Sequence, residues 1–176
     1  MEPLAIEDSI QWEDEAKIYQ SNLHYIHQIY NHRLKNSQSS SNPFEFQMTE
    51  IILDSIAFHL KRKSQNLLKE FENVRELTYQ RITISTLRDL ALLKERVDQH
   101  RRNADLAHKA ILDVLAHDED LIGMYLTDHR QRDLSDHIQI ELLLEASTKQ
   151  MAEVCRPISD LSDSIQTLES AVGFIC

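Results

Sequence analysis

The sequence predicts an all-α protein: long antiparallel helices, with an extended stalk helix closing the chain. Three observations point there. Two glycines and three prolines in 176 residues leave little material for the tight turns that sheets require. Apolar residues recur at alternating steps of three and four over long stretches, which gathers them on one side of a helix. Charged residues make up 27% and aromatics 6%, as suits helices with wide solvated faces.

The first predicted helix runs from Gln11 to Lys35, where Trp12, Ala16, Tyr19, Leu23, Ile26 and Tyr30 form one apolar stripe. Asn36–Asn42 (NSQSSSN) reads as a polar linker, which makes 1–42 an N-terminal helix-and-linker unit. A second unit, 43–132, reads as a helical hairpin. Its first helix starts with Asn42 as the cap, Pro43 in the first position and Glu45 closing a capping box. Leu53, Ala57, Leu60, Ser64, Leu67, Phe71 and Val74 carry its stripe, and β-branched residues over Thr78–Ser85 predict a break. The next helix, Ser85 to Ala116, bears Leu90, Leu93, Val97, Ala104, Ala107, Ile111 and Val114. His117-Asp118-Glu119-Asp120 then interrupts it, before a short turn through Leu126 and a polar loop, Thr127–Asp133.

The third unit, 133–176, is the start of the stalk helix, from Leu134 onward. Met151, Val154, Ile158, Leu161, Ile165, Leu168, Val172 and Ile175 form its stripe, with Pro157 lying off it, so a kink is expected there and not a stop. About 40 helical residues at ~1.5 Å each extend roughly 60 Å. Burying that stripe at ~1.5–3 kcal/mol per side chain requires a partner surface. Part is expected from the two preceding helices, and the distal part from another copy of the chain, as in a coiled coil.

Charge and composition exclude several classes. A net charge of −10 does not suit nucleic acid, which needs clustered Lys and Arg. The most basic runs, Lys61-Arg62-Lys63 and His100-Arg101-Arg102, are short and read as solvated helix surface. Cys155 and Cys176 are too few and too far apart for a disulfide framework, so a reducing compartment is the default. No stretch holds the ~20 apolar residues of a transmembrane helix. No phosphate loop, nucleophile elbow or H-E-x-x-H is present, so an enzyme is not expected. Cys155 beside Arg156 could have a lowered thiol pKa, but no His lies near it in sequence.

Among metal-ligating residues, His24 and His27 share a helical face with His32 nearby, but no carboxylate completes a site. His129 and His137 sit in a charged loop without evident partners. The densest carboxylate cluster is Asp118-Glu119-Asp120, with Asp113 one turn earlier. Magnesium takes one or two carboxylates and keeps several waters. The same acids at a helix N-terminus also make an ordinary solvated cap, favoured by the helix dipole.

Three stretches resemble one family. Pro43-Phe44-Glu45-Phe46, continuing Gln47-Met48-Thr49-Glu50-Ile51-Ile52-Leu53, resembles the "LPFEF-x-A-L-E" signature of the eukaryotic, mitochondrial-type branch of the CorA magnesium channels. Ile111–Leu115, Asp118–Asp120 and Met124-Tyr125-Leu126-Thr127 resemble its "L-acidic run-M-x-x-M-Y-L-T" segment. Ile140-Glu141-Leu142-Leu143-Leu144-Glu145 resembles its "E-x-L-L-E" stalk start. The three occur in the family's order and cover residues 43–176. Asn42 stands where the family usually has Leu, and the acidic run is shorter than in some relatives.

The resemblance implies the helical part of a soluble funnel that assembles as a homopentamer. It places Asp113, Asp118, Glu119 and Asp120 as ligands of a regulatory magnesium ion that favours the closed pore. It also implies a parent protein in the mitochondrial inner membrane, with this region in the matrix and attached through C-terminal membrane helices. Those helices and the Gly-Met-Asn pore loop are not in this sequence, and the family's β-rich N-terminal layer is not recognisable in residues 1–42. The chain is therefore expected to be a fragment or a poreless derivative, unable to conduct by itself. The alternative is a helical coiled-coil scaffold with no ion role.

Overall fold

A computed structural model describes residues 43–127 and 137–173. Four helices occur in it: α1 (Phe44–Gln80), α2 (Ile84–Leu115), the short α3 (Asp118–Gly123) and α4 (Ile138–Gly173). The described residues contain no strand. The all-α expectation is therefore met, and helix 11–35, its linker and most of the 127–133 loop lie outside the described residues.

Each long helix buries a stripe spaced by three and four. On α4 the buried positions are Ile140, Leu144, Ser147, Met151, Val154, Ile158, Leu161, Ile165, Leu168 and Val172, a 4–3 repeat from end to end. Such a repeat keeps one seam facing its neighbours over many turns. The helix continues through Pro157, whose ring is exposed, so the missing backbone donor costs one bond without cutting the stripe.

The core has two halves. Phe46, Ala57 and Leu60 of α1 meet Ala104 and Ile111 of α2, Leu121 of α3, and Ile140 to Ile158 of α4. Farther along, Leu67 and Phe71 meet Leu90, Leu93, Val97 and then Leu161, Ile165, Leu168 and Val172. These pairings make α1 and α4 parallel and α2 antiparallel to both. Arg96–Glu70, exposed, links α2 to α1, and Lys94–Glu169, partly buried, links α2 to α4.

The second half of the core overturns one expectation. The distal stripe of the last helix needs no second copy through Val172, because the chain's own α1 and α2 cover it. The reason is length. At 37, 32 and 36 residues the three helices are each about 50 Å long, so they run side by side and none is left projecting.

Two helix ends also depart from expectation. The break between α1 and α2 is confined to residues 81–83. Thr83 turns from a helix-weakening residue into a cap: its hydroxyl accepts from Thr86 N–H at 3.2 Å, and the Thr86 hydroxyl accepts from Thr83 N–H at 3.0 Å. At the start of α1, Pro43 is the cap residue and no side chain caps it. Asn42, the other half of the expected capping box, lies outside the described residues, and the Glu45 carboxylate is engaged by Leu126 and Thr127.

His100 is the other correction. It belongs to no solvated basic face: it is 1% exposed, at the join between the two core halves. Its Nε2–H lies 3.0 Å from Ser64 Oγ and 3.1 Å from the Leu60 carbonyl, while the Ser64 hydroxyl donates to that carbonyl at 2.8 Å. Nδ1 has no hydrogen-bond partner among the described residues. Burial first, then the nearby Lys63 charge, push the imidazole pKa down to about 4, so the ring is neutral.

Candidate functional site: an acidic helix junction

The carboxylate cluster sits where α2 gives way to α3. Ala116 ends α2 in a helical conformation, and His117 becomes extended, which lets a new helix start one residue later. Asp118, Glu119 and Asp120 occupy the first turn of α3, where the backbone N–H groups favour negative charge. All three are exposed, as is Asp113.

His117 Nδ1 lies 2.9 Å from the Asp113 carbonyl and 3.9 Å from an Asp120 oxygen. His137 has carboxylate partners that its sequence surroundings did not reveal: its Nε2 is 3.8 Å from Asp118 and 3.5 Å from Glu141, at the start of α4. The junction thus brings Asp118 towards Glu141 through one imidazole. Among the described residues, however, no three His, Cys, Asp or Glu side chains converge to hold an ion. Within one chain the four predicted ligands form an exposed acidic patch, not an inner-sphere cage.

What fixes this patch is the buried side of the same junction. Leu121 is fully buried in the core, and Met124 and Tyr125 pack against it. The Tyr125 ring meets Phe46 edge-on, with centroids 4.6 Å apart and planes at 70°. The buried Glu45 carboxylate accepts from Leu126 N–H at 3.0 Å, Thr127 N–H at 3.2 Å and the Thr127 hydroxyl at 2.9 Å. Burial pushes this carboxyl up. Bonds from its own N–H, from the Thr127 N–H and hydroxyl, and from the Leu126 N–H outweigh burial and hold it below the usual glutamate value.

Cys155 does not behave as an activated thiol. It is half-buried, and burial together with Asp105 raises its pKa, so the neighbouring Arg156 does not prevail. His24, His27, His32, His129 and Cys176 lie outside the described residues.

The three stretches that carry the family resemblance therefore meet at one end of the bundle. Glu45 and Phe46 grip Tyr125–Thr127, and Ile140 and Leu144 close the same core from α4. The family profile described as "Magnesium transporter MRS2-like" matches residues 5–176. The chain belongs to the MRS2-like magnesium transporter family. It is 30% identical over 136 residues to a mitochondrial inner membrane magnesium transporter of Aspergillus fumigatus, covering 76% of this chain and 23% of that protein. The corresponding transporter of Schizosaccharomyces pombe is 32% identical over 146 residues, covering 78% of this chain and 34% of the relative. That of Kluyveromyces lactis is 26% identical over 173 residues, 94% of this chain and 36% of the relative. The chain spans about a quarter to a third of the length of these MRS2-like relatives.

Proposed function

We propose that this helical bundle is the regulatory and assembly region of a magnesium transporter in the mitochondrial inner membrane, facing the matrix. The observation that carries the reading is the convergence of the three family-like stretches around one acidic junction, in a chain matched by the family profile from residue 5 to residue 176. Conduction belongs to other segments of the transport machinery, since no described helix is long and apolar enough to cross a membrane.

In this reading magnesium is both cargo and signal. Asp113, Asp118, Glu119 and Asp120 hold a regulatory ion largely through its water shell, between neighbouring copies in a pentamer. Their exposure supports this placement, and so does the chemistry of magnesium, which dehydrates reluctantly and needs only one or two carboxylates. A net charge of −10 per chain makes close packing of copies costly until divalent cations offset it. Magnesium thereby favours the closed assembly, and its loss lets the subunits repel.

The test is the mass of the purified chain by light scattering, with and without millimolar magnesium. A magnesium-dependent shift towards a pentamer, abolished by Asp118→Ala with Asp120→Ala, supports ion sensing at this junction. A mass indifferent to magnesium contradicts it and favours the plain scaffold.

A further inference from the structure

Two side chains of α1 are buried where the described helices cannot bury them. Ile51 is 2% exposed yet belongs to neither half of the apolar core, and Ser55, one turn along the same side of α1, is 8% exposed. Ile51 precedes the core residue Leu60 by nine positions, and Ser55 follows the core residue Phe46 by nine. Nine positions are two and a half helical turns, which places both residues on the side of α1 that faces away from α2 and α4. Gln47, Asp54 and Phe58, which flank them on that side, are each engaged in an interaction as well.

We infer that this outer face of α1 is the docking surface for the chain's own N-terminal stretch, Gln11–Lys35. The apolar stripe from Trp12 to Tyr30 supplies the missing cover. The charged 128–136 stretch, with Leu134 its only apolar residue, has no such stripe to offer.

Length and charge fix the direction. The linker Asn36–Asn42 spans up to about 23 Å at ~3.3 Å per residue, enough to reverse the chain. A helix over 11–35 is about 37 Å long, the distance from Phe44 to about Leu68 along α1. Packed antiparallel, it sets Leu23 and Ile26 against Ile51 and Ser55. Trp12 then lies towards the α1 edge of the groove of about 640 Å3 that runs between α1, at Phe58, Lys61 and Leu68, and α4, at Glu153 and Pro157. The same direction lays Glu13, Asp14 and Glu15 beside the exposed Lys61-Arg62-Lys63 run, the chain's most basic stretch. A parallel arrangement would separate these opposite charges.

The experiment uses the full chain with Cys155→Ser and Cys176→Ser. Leu23→Cys paired with Ser55→Cys is expected to form an intramolecular disulfide in dilute solution, while Leu23→Cys paired with Lys109→Cys, on the exposed side of α2, is not. Trp12, the single tryptophan, gives a second readout. Ile51→Arg should shift its emission to the red and raise iodide quenching several-fold, while the circular dichroism of the bundle persists. No cross-link between positions 23 and 55 would overturn the inference. So would cross-links found only between chains, or a Trp12 already as quenchable as free tryptophan and unaffected by Ile51→Arg.

Discussion

The hydroxyl of Thr127 lies 3.0 and 2.9 Å from the two carboxylate oxygens of Glu45, across 82 positions of sequence. With the N–H groups of Leu126 and Thr127 on the same carboxylate, this contact ties the start of α1 to the strip that follows the acidic junction. It is the polar half of a clasp whose apolar half is Phe46 against Tyr125.

Removing the carboxylate should therefore cost more than removing the hydroxyl. Glu45→Ala strands two backbone donors and is expected to destabilise the bundle by about 1–3 kcal/mol in urea denaturation. Thr127→Val keeps both backbone bonds and should cost about 1 kcal/mol. A double-mutant cycle should show the two losses to be non-additive. Because the folded Glu45 carboxyl sits below its usual value, its contribution is present above the ordinary glutamate range and is lost as pH falls through the folded pKa. Equal losses for the two variants, or no acid-side difference between Glu45→Ala and wild type, would refute the clasp.

His100 predicts a separate dependence on pH. Its folded pKa is depressed to about 4, whereas an unfolded histidine titrates near 6.5. Below about pH 6.5 the unfolded chain takes up a proton that the folded chain refuses until about pH 4. Unfolding free energy should then fall by up to about 1.4 kcal/mol per pH unit across that window, with no contribution above it. Subtracting the profile of His100→Gln isolates this slope from the carboxylates. A flat difference would mean that the ring is solvated or charged in the folded state.

The far half of the core gives a third prediction. Ile165 is fully buried between α1 and α2, so Ile165→Ala should cost about 2–5 kcal/mol. The loss should be independent of protein concentration, because the covering residues belong to the same chain. A loss that vanishes on dilution would restore the expectation of a second copy around this stripe.

How much of this is legible in the sequence differs from residue to residue. The stripe from Met151 to Val172 is plain, because a 4–3 repeat of Leu, Ile, Val and Met lines up into one seam only on a helix. What covers it is not, since a stripe states that a partner exists and not which one. His100 misleads because an imidazole beside two arginines looks like a basic run; only the position of α1 reveals Ser64 and Leu60 as its partners. Glu45 looks like part of a cap because Asn-x-x-Glu is a local pattern, whereas the described partners of its carboxylate are 81 and 82 positions away. The acidic junction is visible in the run of carboxylates itself, and Asp118–Asp120 do open a helix. The pairing of His137 with Asp118 and Glu141 depends on how α4 enters the bundle, which no local spacing encodes.

The central claim, that this bundle serves magnesium transport, is tested most directly in mitochondria that lack their own inner-membrane magnesium transporter. The matching segment of an MRS2-like relative is replaced by residues 43–173 of this chain, and magnesium entry into the matrix is followed with a fluorescent indicator. Restored entry that high matrix magnesium shuts down, with shut-down weakened by Asp118→Asn and Asp120→Asn, is the predicted result. A chimaera that reaches the membrane intact and admits no magnesium would contradict the account.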